Sequence, residues 1–151
     1  MSKKFSSWKS TTLGNVIKWM IRLLVTLIIA LLGAIILLRW INPPTTAVIM
    51  SETRNLKNSV NQEWTPLESL GNNISLAVVA SEDANFCNHH GFDLSEILKV
   101  RKKGLMRGAS TISQQVAKNL FLWRNRSWVR KGMEAVITLL IESFWPKKRI
   151  L

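Results

Sequence analysis

The longest apolar run of the chain lies close to its amino terminus. No charged residue occurs between positions 23 and 38, and tryptophans stand beyond both ends of this run, at Trp19 and Trp40. A helix over 19–41 would separate the two indole rings by about 30 Å, the thickness of a bilayer core. Because tryptophan is enriched at membrane interfaces, the pattern predicts one transmembrane helix over 19–41.

Residues 1–18, which precede this helix, include several lysines and no acidic residue. Basic flanks stay in the cytoplasm, so the remainder of the chain is expected on the other side of the membrane. A cleaved signal peptide is the competing interpretation, but bulky rather than small residues follow the run at 37–40. A buried core helix is a third interpretation. The run has only Thr26 as a polar residue, which is atypical of a core helix in so small a chain.

Shorter patterns downstream predict a mainly α fold. Asn42-Pro43-Pro44 ends the first helix and opens a linker and entry segment over 42–72. Within this segment, Trp64–Leu67 has the pattern of a turn that leads into a short helix. Gly71-Asn72-Asn73 then caps a helix that is apolar over 74–80 except at Ser75. The remaining residues, 73–151, form one helical domain in this interpretation.

Polar residues mark the starts of three further helices. Asp93 and Glu96 have the spacing of a capping box, and Ser110 and Ser127 are candidate N-caps. Helical spacing then predicts apolar faces for the first two of these helices: Leu94, Ile97 and Leu98, and Ile112, Val116 and Leu120. The last helix is strongly apolar and ends at Trp145-Pro146.

Charge narrows the choice of partners. The 151 residues carry a net charge of +12, which implies an anionic partner. Phe121–Trp128 interleaves aromatic and basic residues, a pattern compatible with nucleic acid. An outward-facing membrane protein rarely meets nucleic acid, so we expect no nucleic-acid partner. A basic run from Lys99 to Arg107 fits either a solvated helix face or contact with lipid or substrate phosphates.

The single cysteine, Cys87, excludes an intrachain disulfide. His89 and His90 lie close to it in the sequence. A closed zinc site needs four ligands, however, and the chain contains no other cysteine or histidine. We therefore predict no metal-binding residues.

Two adjacent carboxylates, Glu82 and Asp83, end the apolar helix that begins near residue 73. If this helix is buried, desolvation and the neighbouring like charge favour the protonated form of a carboxyl group. Such a group can transfer protons near neutral pH. The alternative interpretation is that the two acids only mark the solvated end of a helix.

Two later helices bring further polar groups together. One face of the helix after Ser110 carries hydroxyl, amide and ammonium groups: Thr111, Gln114, Gln115 and Lys118. This face suits sugar hydroxyls and a pyrophosphate, and it equally suits plain solvent exposure. Glu134 follows Arg130 and Lys131 by one helical turn. That spacing predicts either a charge cluster that binds phosphate or an ordinary surface salt bridge.

These residues fall into three ordered blocks that resemble the peptidoglycan glycosyltransferases, the lysozyme-like transglycosylases that polymerise lipid II. The second block, Arg-Gly-x-Ser-Thr-Ile-x-Gln-Gln, spans 107–115, and the third, Arg-Lys-x-x-Glu, spans 130–134. The basic amino terminus and single anchor look like those of the monofunctional members. The first block, Glu-Asp-x-x-Phe-x-x-His-x-Gly-x-Asp, is filled by Glu82, Asp83, Phe86, His89, Gly91 and Asp93.

The resemblance implies a partial lysozyme-like helical glycosyltransferase domain over 73–151. In the family, the Lys-Arg-Ile-Leu found here at 148–151 is followed by a further portion of the domain. The implied reaction inverts the anomeric centre, with Glu82 as the base and Glu134 as a second carboxylate near the donor. The implied substrate-binding residues are Asp83, Ser110, Thr111, Gln114, Gln115, Lys118, Arg126, Arg130 and Lys131.

The same resemblance implies partners and a location. Lipid II, the growing glycan strand and the membrane are the implied partners, with cell-division or cell-wall synthesis proteins as further candidates. No cofactor is required, although a divalent cation (Mg²⁺ or Mn²⁺) can help to neutralise the pyrophosphate. The expected location is the bacterial cytoplasmic membrane, crossed once, with the catalytic part outside.

Two other functions stay open at this point. The expected truncation of the domain would reduce turnover, which leaves a non-catalytic, membrane-anchored module that binds lipid II or the cell-wall machinery. A lysozyme-like glycan hydrolase also uses a glutamate. A hydrolase needs no binding site for pyrophosphate, so the basic residues argue against it.

Overall fold

The computed structural model describes residues 3–56, 60–104 and 109–151, with side chains from residue 13 onward. Within these ranges all regular structure is helical, so the predicted mainly α class is confirmed. The chain divides into two compact units, 1–37 and 38–151.

The first unit is one long helix, α1 (Lys3–Leu37), which contains a candidate membrane span over Leu13–Leu37 with a mean hydropathy of 2.7. A helix of this length, about 37 Å, is sufficient for a bilayer core. The predicted boundary at Ile41 is wrong, because the helix gives way to a turn over 38–40.

Two arginines explain why the second unit begins with a turn. Arg149 donates to the carbonyl oxygens of Leu38 (2.8 Å) and Ile41 (2.9 Å) and to Oδ1 of Asn42 (2.6 Å). These contacts satisfy polar groups that a continued helix would have to satisfy itself. Arg39 in turn donates to the carbonyl of Phe144 at 2.7 Å. Trp40 therefore lies outside the helix that contains Trp19.

The segment predicted as a linker contains a helix of its own, α2 (Ala47–Leu56). The Thr46 hydroxyl oxygen accepts a hydrogen bond from the Ile49 amide at 3.2 Å, which helps to start this helix. A 3₁₀ turn over Leu67–Leu70 confirms the predicted short helix after Trp64. The Trp64 indole N–H donates to the Pro43 carbonyl at 3.0 Å, so this segment is tied to residues that follow α1.

The helix that ends in the two acids, α3 (Asn72–Glu82), has no buried residue. Its apolar side chains lie on several sides of the helix, so no single face selects a core. The interpretation of α3 as a buried helix is therefore wrong. Gly71, with φ of 73°, precedes it, but no side chain caps it, so the predicted cap by Asn72 or Asn73 is also wrong.

The core of the second unit is formed mainly by α5 (Ile112–Phe121) and α6 (Trp128–Phe144), joined by the loop 122–127. Val116 and Leu120, predicted to face the core, are only half-buried, while Ala117 is fully buried. The short helix α7 (Lys147–Ile150) contributes one more buried residue. The buried apolar residues of this region are Ile112, Ala117, Leu122, Ile137, Ile141, Trp145 and Ile150.

For the helices that follow α3, the caps agree with the sequence predictions except at one position. Ser127 accepts a hydrogen bond from the Arg130 amide at 3.1 Å, as predicted. Ser110 does not cap α5. Thr111 does so, because Gln114 stands three residues after it and completes a reciprocal capping box.

Asp93 caps α4 (Leu94–Lys102) as predicted, with its Oδ1 accepting from the Glu96 amide at 2.9 Å. The Ser95 hydroxyl and the Asn85 side-chain amide donate to the same carboxylate. The predicted apolar face of α4 is exposed rather than buried: Leu94, Ile97 and Leu98.

Asp93→Asn should change how the fold responds to acid. Hydrogen bonds from Ser95, the Glu96 amide and Asn85 hold the pKa of the Asp93 carboxyl well below its usual value. The carboxylate therefore stabilises the fold above its unfolded pKa of about 4, and this contribution declines as the pH falls towards the folded pKa. Urea midpoints measured from about pH 5 to about pH 2 should fall less steeply for the Asn variant. Parallel profiles for the two proteins would contradict this.

Gly91 sets the distance between the loop that follows α3 and the middle of α6. Its φ is +89°, and a Cβ atom there would lie 2.8 Å from Cγ2 of Thr138. Its carbonyl accepts a hydrogen bond from the Thr111 hydroxyl at 2.7 Å. The position therefore requires both positive φ and the absence of a side chain.

Gly91→Ala should destabilise the second unit by about 2–5 kcal/mol, from the strained backbone and the forced repacking against Thr138. Gly132→Ala is the matched control, because a Cβ atom at this helical glycine meets nothing within 4 Å. That control should be neutral or should stabilise by up to about 1 kcal/mol. Thermal unfolding of both variants measures the difference. Equal unfolding temperatures for Gly91→Ala and the parent would disprove the role of Gly91.

Candidate active site

Two adjoining clefts contain the predicted site residues. The first, here called the Glu82 cleft, has a volume of about 460 Å³ and lies between the end of α3 and the start of α5. The second, the Glu134 cleft, has about 620 Å³ and lies between α5 and the start of α6. Ser110, Gln115 and Lys118 line both. All eleven predicted residues line one cleft or the other: Glu82, Asp83, Ser110, Thr111, Gln114, Gln115, Lys118, Arg126, Arg130, Lys131 and Glu134.

Glu82 is the last residue of α3, and its side chain is exposed in its cleft. One oxygen, Oε2, accepts a hydrogen bond from Nε2 of Gln115 at 2.9 Å. Of the two interpretations of the paired acids, the solvated end of a helix describes where Glu82 lies, and burial does not desolvate its carboxylate. Its accessibility leaves Oε1 open to a hydroxyl group that enters the cleft.

Asp83 differs from its neighbour because it is buried. Its carboxylate lies 2.9 and 3.0 Å from Nε2 of His89, and Oδ2 accepts from the Ile112 amide at 3.0 Å. That amide is at the amino terminus of α5, where the helix dipole favours a negative charge. Asp83 thus fixes the end of α3 against α5, and through this contact it holds Glu82 at the cleft.

The polar residues of α5 divide into two groups. Thr111 and Gln114 are buried, and they bond to each other and to Gly91. Their side-chain groups therefore maintain the start of α5. Ser110 is exposed, while Gln115 and Lys118 are half-buried, and these three side chains are available to a ligand in both clefts. Sugar contacts for the whole set remain a prediction.

Glu134 is the centre of a buried charge cluster. Its Oε2 accepts from Nη1 of Arg130 at 2.7 Å, and its Oε1 accepts from Nζ of Lys131. The Glu134 side chain is only 3% exposed. The interpretation as an ordinary surface salt bridge is therefore wrong. Helical spacing explains the contacts, since residues three and four apart share a face.

The Glu134 cleft has an excess of positive charge. Lys118, Arg126, Arg130 and Lys131 line it together with the one carboxylate of Glu134, which gives a net charge of +3 among these five residues. Nε of Arg130 is buried and has no hydrogen-bond partner within the described ranges. Such an arrangement of donors suits a phosphate or pyrophosphate group.

The remaining sequence predictions concern residues that do not line the two clefts. Arg107 and Gly108 of the second block lie outside the described residues. Among those that are described, no group of three or more Asp, Glu, His or Cys residues is placed to hold a metal ion. Cys87 is exposed, and His89 contacts Asp83.

No local sequence pattern predicted the hydrogen-bond network that lies behind the clefts. The Lys147 ammonium donates to the His89 carbonyl at 2.7 Å and to Oε1 of Glu142 at 2.8 Å, and it lies 4.5 Å from the centre of the Phe86 ring. The Ser113 hydroxyl donates to the same Glu142 oxygen. This network connects α5, α6 and α7 to the loop that follows Glu82.

Comparisons with known proteins match most of the chain to one family. A family model described as transglycosylase matches residues 48–151. A biosynthetic peptidoglycan transglycosylase of Xanthomonas campestris pv. campestris (strain B100) is 49% identical over 127 residues, covering 78% of this chain and 52% of the relative. One of Stutzerimonas stutzeri (strain A1501) is 43% identical over 150 residues, covering 92% of this chain and 58% of the relative. The chain thus spans just over half the length of these relatives.

Proposed function

The chain belongs to the transglycosylase family, and from this premise we propose that it acts in polymerising lipid II into β-1,4-linked glycan strands, with release of undecaprenyl pyrophosphate. One observation carries the proposal: an accessible carboxylate and a buried, cation-rich cluster line adjoining clefts that share three residues. Glycosyl transfer from a pyrophosphate needs both a base and positive charge.

The Glu82 cleft is proposed to hold the acceptor end. The acceptor 4-hydroxyl attacks C1 of the donor from the face opposite the leaving group, and its proton moves to the Glu82 carboxylate. The bond between C1 and the pyrophosphate oxygen breaks, and the oxygen leaves with the electron pair. Gln115 orients the carboxylate through its hydrogen bond to Oε2. One displacement inverts the anomeric centre, so no glycosyl-enzyme forms.

The Glu134 cleft is proposed to hold the donor pyrophosphate. Both Glu134 oxygens are engaged with Arg130 and Lys131, so this carboxylate acts by orienting the two cations rather than by transferring a proton. Lys118 and Arg126 add positive charge. A divalent cation bound to the pyrophosphate would supply further charge neutralisation.

The test uses vesicles that contain lipid II and the protein, either as the chain itself or extended with the part of the Stutzerimonas stutzeri relative that the alignment leaves uncovered. Release of undecaprenyl pyrophosphate together with longer glycan products is the expected result. Shortening of preformed glycan would instead identify a hydrolase. Binding of lipid II with no product from either protein would identify a non-catalytic binding module, and it would disprove the proposed reaction.

We further propose that α1 crosses the cytoplasmic membrane, with residues 1–18 inside and residues 38–151 outside. The candidate span Leu13–Leu37 and the acid-free basic segment before it support this orientation. Protease added to intact spheroplasts should therefore digest 38–151 and leave a fragment that contains α1. After permeabilisation the chain should also be cleaved at Lys3, Lys4 and Lys9, which precede the candidate span. Full protection of 38–151 in intact spheroplasts would reverse the orientation.

A further inference from the structure

The position of Glu82 depends on the residues that follow it, here called the Glu82 loop (residues 83–91). The helix that carries Glu82, α3, has no buried residue, so its own packing does little to fix its last turn. The Glu82 loop, in contrast, contributes the buried side chains of Asp83 and Phe86. Exposed helix ends open at low cost in free energy, whereas buried segments do not. The contacts of the loop therefore determine where the Glu82 carboxylate lies.

Lys147, the first residue of α7, holds the middle of the Glu82 loop. Its ammonium donates to the His89 carbonyl at 2.7 Å and lies 4.5 Å from the centre of the buried Phe86 ring. It also donates to Oε1 of Glu142 at 2.8 Å, and the Ser113 hydroxyl donates to the same oxygen. An ammonium has three N–H donors, and a cation is attracted to the face of an aromatic ring. These contacts fix the charge of Lys147 between the loop and α6.

We propose that Lys147 is a positioning residue for the Glu82 carboxylate and that it acts through the Glu82 loop. The carbonyl that Lys147 holds belongs to His89, whose ring nitrogen Nε2 lies 2.9 Å from the carboxylate of Asp83. Asp83 is the next residue after Glu82. Lys147 lines neither cleft, so its effect on the reaction is indirect. That effect rests on the proposed function, whereas the hold on the loop does not.

A fixed position matters here because the Glu82 side chain is exposed. Its hydrogen bond from Gln115, at 2.9 Å, is exposed as well, so water competes for it. A general base must come within about 2.6–3.2 Å of the hydroxyl that it deprotonates. A carboxylate at the end of a loosened segment would lie out of this range for part of the time. Loss of the Lys147 ammonium should therefore reduce the fraction of molecules in which Glu82 can accept the proton.

Cys87 allows the loop to be measured directly, because it is the single cysteine of the chain and is exposed within the Glu82 loop. A nitroxide label on Cys87, in the full chain in detergent micelles, reports the mobility of the loop by electron paramagnetic resonance. Lys147→Met removes the ammonium and keeps most of the apolar side chain. The label should become more mobile in this variant. An unchanged spectrum would overturn the inference.

Lys148→Met is the matched control, because it makes the same change at the next residue. Lys148 pairs with Glu68, and the two side chains are 68% and 65% exposed, so water can replace this contact. The spectrum of the label on Cys87 should equal that of the parent. Equal mobility in Lys148→Met and Lys147→Met would assign the effect to the loss of any positive charge from α7, and the inference would fail.

The same label beside Glu82 tests the second step without any need for turnover. The label is attached to Ser81→Cys in a chain that also carries Cys87→Ser, and Lys147→Met should increase its mobility too. If Lys147→Met loosens the label on Cys87 but leaves the label at position 81 unchanged, Lys147 orders the loop without positioning Glu82. That result would also overturn the inference.

The transferase assay measures the consequence for the reaction. Lys147→Met should lower kcat by about 10- to 100-fold, since a misplacement of about 1 Å at a reacting group can cost that much. KM for lipid II should stay within about twofold of the parent, because the contacts to substrate are unchanged. A raised KM with the parent kcat, or an unchanged kcat, would overturn the inference. If the parent forms no glycan product, the proposed function fails, and the two labels alone decide the role of Lys147.

Glu142→Gln replaces Lys147→Met as the deciding variant if the latter shows no cooperative thermal unfolding. It removes the charge that orients the ammonium and leaves Lys147 in place, and the amide oxygen can still accept from the Ser113 hydroxyl. Both labels should be more mobile than in the parent. A folded Glu142→Gln protein with unchanged spectra at both positions would then overturn the inference.

Discussion

Glu82→Gln should slow glycan polymerisation by about 10²–10⁴-fold, the usual cost of losing a general base. The substitution keeps the size of the side chain and leaves an amide oxygen that can still accept a hydrogen bond from Gln115. It removes only the ability to take the proton of the acceptor hydroxyl. The loss should therefore appear in kcat, while the affinity for lipid II stays close to that of the parent.

The control for this experiment is Glu63→Gln, which makes the same chemical change at an exposed residue outside both clefts. Its rate should equal that of the parent in the extended protein. Asp83→Asn is not a suitable control. Asp83 contacts His89 and the Ile112 amide, so removing its charge would affect folding as well as activity. A Glu82→Gln protein that polymerises lipid II as fast as the parent would show that Glu82 is not the base.

Local sequence patterns predicted those parts of the site that depend on helical spacing. Arg130, Lys131 and Glu134 had to share a face once their helix was recognised, and the caps at Asp93 and Ser127 follow from residue type. The apolar run similarly predicted α1, although its carboxyl-terminal boundary depended on Arg149. That arginine lies 111 residues away from Leu38 along the sequence, so no local pattern could reveal the contact.

Burial was harder to predict, because it depends on which elements pack together. The apolar composition of α3 suggested a buried Glu82, yet the residue anchored in the interior is Asp83. The anchor is the Ile112 amide, 29 residues away, and the loop beyond it is held by Lys147 through the His89 carbonyl, 58 residues away. These contacts decide that Glu82 faces the cleft, and the motif alone does not contain that information.

Glu134→Gln should lower the free energy of unfolding by about 3–5 kcal/mol, because the substitution leaves the charge of Arg130 buried without its partner. The Arg130 and Glu134 side chains are 10% and 3% exposed, so water replaces little of the lost ion pair. Lys131 is 44% exposed and can turn towards solvent, so Lys131→Met should cost at most about 1 kcal/mol. Urea or thermal unfolding of the two variants in the same detergent measures this difference.

The double variant Arg130→Met, Glu134→Gln shows whether the loss of stability in Glu134→Gln comes from the unpaired charge of Arg130. If it does, the double variant should be more stable than the sum of the two single changes predicts, because neither charge is then buried alone. Strict additivity would show that the two side chains contribute through packing instead. Since both Glu134 oxygens are held by cations, the single variant should also weaken binding of a soluble pyrophosphate ester, because Arg130 and Lys131 lose the group that orients them. A Glu134→Gln protein as stable as the parent would mean that the cluster is solvated, and that the buried charge pair does not hold α6 in place.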